Sequence, residues 1–341
     1  MDNSLQNALS GALVADAVSM PVHWYYDRDA LDRDYGEVSG YLRPKNPHQD
    51  SILWRSHYRP RTPEADILHE QAQYWGQRGI HYHQFLDAGE NTLNFLLGLE
   101  LYRSIIRAGA YDPGKWLRTY IGLMQKAGWH KDTYVEEVHR SFFDQLAQGR
   151  KPEECWVKDL HIGGLVPVPF LLAALDRLQA GTKSPDPSWV RRHVALTHRH
   201  PETEAAAEAL ARMLLAVAKG TPLREAILAH SSRWAGRRAF EDWEKREDRE
   251  VVGRKLTPAC YLPESFAAAL HFVWKYDDDF AGGILANARC GGDNCHRGAV
   301  VGSLLGAANG VPDSWLEDLA AGEPFLCERQ NGERTRVASQ E

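Results

Sequence analysis

The sequence has few cysteines, no dominant block of one charge, no long apolar run and little alternation of polar and apolar residues. Its five cysteines are scattered without a CxxC pair, which argues against a disulfide framework and a structural zinc site. With 46 acidic and 40 basic residues, the chain lacks the basic face typical of proteins that bind nucleic acid. Neither a spanning run of about 18 apolar residues nor a signal peptide is visible. We therefore expect a cytoplasmic protein with neither nucleic acid nor membrane as partner.

What the sequence does contain is helical periodicity over most of its 341 residues. Leu93, Leu97 and Leu101 form an i, i+4 row that Gly109 ends, and Pro201 suits the first position of an Ala-rich helix. The pattern predicts an all-α fold. We expect a single domain over residues 1–327, a polar tail over residues 328–341, and a monomer or small homo-oligomer.

The segment Gly291–Gly298 is the most informative stretch, because a carboxylate, a thiol and an imidazole follow two glycines at the start of a helix. Asp293, Cys295 and His296 are a ligand set for a softer metal such as zinc or iron. Cys295 is alternatively a nucleophile or an inert buried thiol. Small residues at every fourth position of the helix predict that another helix packs closely against it.

Two segments near the N-terminus carry further candidate residues. Asp16 lies on the apolar stripe of the first predicted helix, so it is either a core aspartate held by hydrogen bonds or a support for a site. His23 and Trp24 follow in a dense aromatic cluster, which suits either the stacking of a base or simple packing.

Two polar helix starts are weaker candidates. Glu90, Asn91 and Thr92 offer oxygen atoms to a hard cation, although such residues are more often caps and first-turn acids. His198 lies in the polar run before Pro201, where a phosphate or ribose contact and a cap are equally consistent with the pattern.

Taken in order, these segments resemble the ADP-ribosylglycohydrolase family. Residues 11–21 are similar to its opening helix, Thr197-His198 with Pro201 to its Thr-His-x-x-Pro segment, and residues 286–293 to its C-terminal signature. The family includes enzymes that remove ADP-ribose from proteins. Eye-lens crystallins are also members of it. The resemblance implies a single orthogonal multi-helix bundle with a central cleft and usually two Mg²⁺ or Mn²⁺ ions.

Several positions depart from the family's motifs. Glu90-Asn91 stands where the family has two aspartates, Asn294-Cys295-His296 replaces Thr-Asp-Thr after Asp293, and His23 replaces a glutamate. The middle motif survives only as glycine near His161, Gly163 and Gly164, which the resemblance marks as substrate-binding. Two adjacent divalent ions need several carboxylates to offset their repulsion. We therefore expect one ion, a different metal (zinc or iron if Cys295 and His296 ligate it), or none.

The resemblance implies a hydrolase that cleaves an N- or O-glycosidic bond of an ADP-ribose-like or nucleoside-like substrate, either a small molecule or an ADP-ribosylated partner. Glu90, Asp293 and His23 are the predicted catalytic residues. The predicted substrate-binding residues are Asp16, Trp24, His161, Gly163, Gly164 and His198, and the predicted metal ligands are Glu90, Asn91, Asp293, Cys295 and His296. Two alternatives stay open: a non-catalytic binding or structural protein, and an enzyme of different chemistry that uses Cys295 and His296 or a transition metal.

Overall fold

The structure is a computed structural model, and it describes residues 3–179 and 184–322. The predicted tail over residues 328–341 lies outside these residues. Over the described part of the chain the fold is all-α, as predicted, with isolated bridge pairs and no strand. Its helices are α1 (Ser4–Ser19), α2 (Arg28–Tyr35), α3 (Leu93–Ala108), α4 (Pro113–Met124), α5 (Glu137–Ala147), α6 (Pro167–Gln179), α7 (Ser188–Val194), α8 (Pro201–Val217), α9 (Leu223–His230), α10 (Arg237–Trp243), α11 (Asp248–Glu250), α12 (Glu264–Lys275), α13 (Phe280–Arg289), α14 (Asn294–Asn309) and α15 (Asp313–Glu317).

The boundaries of these helices follow local signals in the sequence. Helix α3 ends at Gly109, whose φ of 66° is readily adopted by glycine because it has no Cβ. Helix α8 begins at Pro201, as predicted. Helix α14 begins at Asn294. Cys295 and His296 therefore lie in its first turn, with Asp293 immediately before it.

The antiparallel pair α1 and α14 forms the centre of the fold. The two backbones are in direct contact, because a Cβ added at Gly302 would lie 2.2 Å from the carbonyl oxygen of Gly11, and one added at Gly306 would lie 2.5 Å from that of Asn7. Nearly all residues of both helices are buried. This packing confirms the close helix approach that the small residues predict, and it brings the end of α1 to the start of α14.

Helix α6 is a second buried element. Residues Ile162–Gln179 have the length and apolar composition of a membrane-spanning helix, but 72% of that stretch is buried inside the protein. Burial among other helices explains its apolar composition without a membrane. The connections between the helices include short 3₁₀ turns, among them Met20–Val22, His69–Tyr74 and Ile162–Leu165.

Candidate active site at the start of helix α14

Two glycines bring the start of α14 against the segment that follows α1. Gly291 and Gly292 have φ values of 63° and 64°, and a Cβ at Gly291 would lie 2.2 Å from the carbonyl oxygen of Tyr25. Two backbone hydrogen bonds join Gly292 to the segment that follows α1. Trp24 N–H donates to Gly292 O, and Gly292 N–H donates to Tyr25 O. His23 and Trp24 are thereby fixed beside Asp293.

The carboxylate of Asp293 is fully buried and is held by one of its two oxygens. Oδ1 lies 2.6 Å from His296 Nδ1, 2.9 Å from His23 Nε2 and 3.1 Å from the indole nitrogen of Trp24. Oδ2 has no hydrogen-bond partner. Burial acts to raise the pKa of Asp293, but the charge of His296 and the hydrogen bonds from both histidines hold it well below its usual value. Asp293 is therefore an ionised carboxylate with one free oxygen.

His296 lies between two buried carboxylates. Its Nδ1 contacts Asp293 and its Nε2 lies 3.0 Å from Glu136 Oε1. Burial acts to lower the pKa of His296, but the charge and hydrogen bond of Asp293, together with those of Glu136, raise it to about 10. The raised pKa makes His296 an imidazolium at neutral pH. Its Nδ1 donates to Asp293 Oδ1, and its Nε2 lies between Glu136 Oε1 and Asn94 Nδ2, which is 2.8 Å away.

His23 begins a second set of contacts on the other side of Asp293. Its Nδ1 lies 2.7 Å from His83 Nε2, and His83 Nδ1 lies 2.7 Å from Asp132 Oδ1. The two imidazole rings are parallel, and all three residues are at most 3% exposed. Burial lowers the pKa of His23 to about 3, so the ring of His23 is neutral at physiological pH.

Trp24 closes one side of this cluster. Its ring stacks on His23 with a centroid distance of 3.9 Å and makes T-shaped contacts with Tyr82 and Tyr134. Trp24 has a φ of 61°, a conformation that is costly for a residue with a bulky side chain. The strained backbone places the indole N–H against Asp293, so Trp24 helps to hold the carboxylate as well as contributing apolar surface.

His161 faces the free oxygen of Asp293. Its Nε2 lies 4.0 Å from Asp293 Oδ2, and its Nδ1 accepts the Gly163 N–H at 2.9 Å. Because Nδ1 accepts, Nε2 carries the proton in the neutral ring. Burial lowers the pKa of His161, which favours that neutral form. The site therefore presents one N–H donor and one carboxylate acceptor across a gap that a single oxygen atom can bridge.

Glu90 does not join this cluster, contrary to the sequence-based expectation that it meets Asp293. Its Oε1 lies 2.7 Å from Lys131 Nζ, and its Oε2 accepts the Asp87 N–H at 2.8 Å. The side chain is 26% exposed. Both carboxylate oxygens of Glu90 are therefore engaged in the loop before α3 and in the ion pair with Lys131.

Cys295 also points away from Asp293, which corrects its assignment as a metal ligand or nucleophile. It packs with Met20 and Leu86 in a small apolar cluster, and its Sγ lies 3.8 Å from the carbonyl oxygen of Asp16. Burial raises the pKa of the Cys295 thiol well above its usual value. A buried, neutral thiol in apolar contact is a packing residue.

Asp16 and Asn91 link α1 to the start of α3. The carboxylate of Asp16 accepts hydrogen bonds from Asn91 Nδ2, Thr92 N and Thr92 Oγ1 at 2.8 to 2.9 Å. Asn91 Nδ2 also donates to Leu13 O. These bonds are those of a core aspartate, the first of the two alternatives for Asp16. They leave Asn91 with one free oxygen, and none of them involves Asp293.

The remaining predicted substrate-binding residues surround His161. Gly163 and Gly164 form the turn Ile162–Leu165, where a Cβ at Gly163 would lie 2.8 Å from His161 Nδ1 and one at Gly164 3.0 Å from His198 Cγ. His198 is buried and contacts Thr197 Oγ1 at 2.9 Å. These residues let the turn pack closely and position His161; their contact with a substrate stays a prediction.

Three residues of the site escaped the sequence analysis: His83, Asp132 and Glu136. His83 contacts His23, Glu136 contacts His296, and Asp132 contacts His83. None of the three belongs to a segment singled out from the sequence. The available signals were the His-Tyr-His run at residues 81–83 and the two acids that flank residues 133–135. Neither signal shows that these loops converge on Asp293, because that contact depends on the packing of α3 and α5.

The sequence profile of the ADP-ribosylglycohydrolase family matches residues 2–338. The chain belongs to this family. Crystallin J1A of Tripedalia cystophora is 23% identical over 332 residues, 94% of this chain and 92% of that protein, and Crystallin J1B of the same organism is 22% identical over similar shares. A solved ADP-ribosylglycohydrolase-related protein complex has a TM-score of 0.62 at 23% identity, covering 95% of this chain and 94% of the other.

Members of the ADP-ribosylglycohydrolase family usually depend on divalent metals. Residues 3–179 and 184–322 contain two groups of candidate ligand atoms, and the atoms within each group lie within 4.8 Å of one another. The first, His23, Asp293 and His296, is closed by hydrogen bonds of 2.6 and 2.9 Å. The second, His161, Cys260 and Asp293, includes the free Oδ2, but its imidazole presents an N–H there. Two divalent ions need several free anionic oxygens. The donor set does not fit the two-metal centre usual in this family.

Proposed function

We propose that the protein is a hydrolase that cleaves a glycosidic bond of an ADP-ribose-like or nucleoside-like substrate at Asp293. Membership of the ADP-ribosylglycohydrolase family supports a glycohydrolase kind of function. The observation that carries the proposal is the asymmetry of Asp293, whose Oδ1 contacts three nitrogen donors while Oδ2 is buried without a partner. An ionised carboxylate with one free oxygen suits a base or a group that stabilises positive charge on a sugar carbon.

In this proposal a water molecule lies between the N–H of His161 and Oδ2 of Asp293. Asp293 takes a proton from that water as the water oxygen bonds to the sugar carbon. The glycosidic bond breaks, and the leaving nitrogen or oxygen keeps the bonding electrons and takes a proton from solvent. His161 orients the water, and the donors on Oδ1 keep the carboxylate ionised before the reaction begins.

The substrate in this proposal carries a ribose or similar sugar bound through nitrogen or oxygen. The partly exposed rings of Trp24 and Tyr134 offer aromatic surface beside the carboxylate, which suits a planar ring or the apolar face of a sugar. The family acts on ADP-ribosylated substrates, so ADP-ribosylated peptides and free ADP-ribose conjugates are the first compounds to assay.

Asp293→Asn tests the proposal, because asparagine keeps the shape but removes the charge. We expect hydrolysis to fall by about 10²–10⁴-fold. The matched control is Asp248→Asn, since Asp248 also accepts hydrogen bonds from three side chains, those of His271, Lys275 and Tyr276. Full activity in the Asp293 variant would show that the reaction lies elsewhere.

The second candidate is a structural or binding role without catalysis, and it is favoured by the likeness to crystallins over 94% of the chain. It predicts that no glycosidic substrate is turned over and that Asp293→Asn changes stability alone. The third expectation, chemistry at Cys295, is opposed by the apolar surroundings of its thiol. Asp293 Oδ2 is the carboxylate oxygen that the cluster leaves free for a metal ion. We therefore propose that at most one ion assists hydrolysis. Metal analysis of the purified protein would identify it.

A further inference from the structure

A fully buried arginine lies one helical turn after Asp293. The side chain of Arg297 has no exposed surface, and four neutral oxygen atoms accept its hydrogen bonds at 2.7 to 3.4 Å: Asn287 Oδ1, Asn287 O, Pro258 O and Gly291 O. A buried charge is destabilising unless hydrogen bonds satisfy it. An apolar side chain would fill the same space with a smaller desolvation penalty, so packing alone does not account for the guanidinium group.

The hydrogen bonds of Arg297 join three segments at the start of α14. Because long side chains in a helix point towards its N-terminus, the guanidinium reaches back to Gly291 O, in the turn before Asp293. Its Nε and Nη2 also donate to Asn287, near the end of α13. Its Nη1 donates to Pro258 O, which accepts the Asp293 N–H at 2.9 Å as well. Arg297 therefore fixes the backbone of Asp293 against Pro258.

The segment that follows Pro258 holds the opposite side of the site. Two backbone hydrogen bonds of 2.8 and 2.9 Å pair residues 260–262 with residues 160–162, and His161 lies between them. A single residue, Ala259, separates this paired stretch from Pro258. One residue has only two freely rotating backbone dihedrals, so the position of His161 is closely linked to that of Pro258.

The gap between His161 Nε2 and Asp293 Oδ2 is 4.0 Å wide, and both of its sides are hydrogen-bonded to the segment that begins at Pro258. We propose that Arg297 sets the width of this gap, because it fixes Pro258 to the turn that carries Asp293. Arg297 is then a positioning residue, since it acts on the two sides of the gap through Pro258. In assigning the gap to catalysis the inference rests on the proposed function, but its first test needs no substrate.

Arg297→Lys tests this role, because lysine keeps the charge but replaces the planar guanidinium fork by one nitrogen. A single ammonium group cannot bridge all of the segments that the fork joins. Arg28→Lys is the matched control. Arg28 also donates to two backbone oxygens, those of Arg249 and Val252. The control therefore removes a similar set of bonds from a nearby segment and leaves the contacts of Pro258 in place.

Amide hydrogen exchange of the full chain, followed by nuclear magnetic resonance, measures the result. In Arg297→Lys we expect the amides of Asp293 and Ile162 to exchange about tenfold faster or more, because their acceptors lie on the released segment. Amides in the middle of α8 report global opening and should keep their rates, and Arg28→Lys should leave Asp293 and Ile162 unchanged. Unchanged exchange at Ile162 would overturn the proposal whatever happens at Asp293, since Arg297 would then not act on the side that holds His161.

Ala259→Gly is a second variant, and it decides the matter where Arg297→Lys accelerates exchange in α8 as well. Glycine loosens the link between Pro258 and the paired stretch and leaves every hydrogen bond of Arg297 in place. Exchange at Ile162 should rise while α8 keeps its rates. Equal exchange in this variant and in the unmodified protein would reject the link through residue 259 and the proposal with it.

Kinetics separate positioning from simple loss of stability. On any substrate that the protein hydrolyses, kcat of Arg297→Lys should fall about 10- to 100-fold with KM within about threefold, because misplaced groups slow the chemical step more than they weaken binding. Arg28→Lys should keep both constants. A rise in KM with kcat unchanged would contradict a positioning role.

The exchange measurement is independent of turnover. Local changes in exchange, in a protein that turns over no glycosidic substrate, would keep the inference about the gap and reject the proposed function. Full turnover in Arg297→Lys, with unchanged exchange at Asp293 and Ile162, would reject this inference and keep the function.

Discussion

The indole N–H of Trp24 donates a 3.1 Å hydrogen bond to Asp293 Oδ1, across 269 positions of sequence. This bond exists because Trp24 adopts a left-handed backbone conformation with φ of 61°, while Gly291 and Gly292 turn the chain towards it. Trp24 therefore combines a strained backbone with a hydrogen bond to the buried carboxylate. Backbone strain of this kind persists where the surrounding structure fixes it, often at functional sites.

Trp24→Phe should make the protein more sensitive to acid. The substitution would keep an aromatic ring on His23 but would remove one donor to Asp293, so the pKa of Asp293 would rise towards its usual value. A carboxylate with a lowered folded-state pKa contributes stability above its unfolded pKa of about 3.9, and that stability is lost as the pH falls through the folded value. Acid unfolding followed by circular dichroism should therefore begin at higher pH.

Trp75→Phe is the matched control for this change. Trp75 Nε1 donates to the backbone oxygen of Thr133 at 2.8 Å, so the substitution removes one comparable bond and leaves Asp293 untouched. Both variants should lose about 0.5–1.5 kcal/mol at neutral pH. Equal acid sensitivity of the two would show that the Trp24 bond does not act on Asp293.

The raised pKa of His296 predicts that the folded protein loses stability at alkaline pH. Its pKa is raised to about 10 in the folded protein from about 6.5 in the unfolded chain. The stabilisation by its second proton is complete below about pH 6.5 and is lost as the pH rises through about 10. Urea midpoints should therefore fall between pH 7 and pH 10, and His296→Gln should flatten that dependence. An unchanged slope in the variant would contradict an imidazolium at this position.

Glu90→Gln should have little effect on the protein. The substitution removes a partly exposed ion pair with Lys131, and such pairs contribute about 0–1 kcal/mol. Urea denaturation measures this change, and hydrolysis of any substrate found should stay within about twofold of the unmodified protein. A loss of activity as large as that of Asp293→Asn would return Glu90 to the catalytic site.

Cys295→Ala should keep activity and lose stability. The thiol packs with Met20 and Leu86, so alanine leaves a small cavity that costs about 1 kcal/mol. Thermal unfolding and a hydrolysis assay would measure both effects together. Inactivity in a variant that melts within a few degrees of the unmodified protein would show that the sulfur takes part in the chemistry.

The sequence predicted well those features that depend on local chemistry. The all-α class, the family, the end of α3 at Gly109 and the start of α8 at Pro201 all follow from periodicity, caps and motifs within one segment. Asp293 was singled out because two glycines and a polar run precede a small-residue helix. Each of these signals is complete within a dozen residues.

The composition of the cluster around Asp293 could not be predicted in the same way. Glu90 and Asp293 align with metal motifs in sequence, but whether two side chains meet depends on rotamers and on the path of loops. Lys131 and the Asp87 N–H engage Glu90, whereas Glu136 from the start of α5 contacts His296. These contacts connect segments far apart in sequence, and periodicity carries no information about them.

Gly302→Ala tests whether close packing of α1 and α14 positions the site. A Cβ there would lie 2.2 Å from Gly11 O and 2.6 Å from the Cβ of Ala15, so the helices must separate. We expect a loss of about 1–3 kcal/mol or more in urea denaturation. Because α1 leads to His23 and α14 follows Asp293, the His23–Asp293 bond should weaken too. Gly122→Ala in α4 is the control, since its Cβ meets nothing within 4 Å and alanine favours the helix by about 0.5–1 kcal/mol. Equal stability of the two variants would contradict backbone contact between α1 and α14.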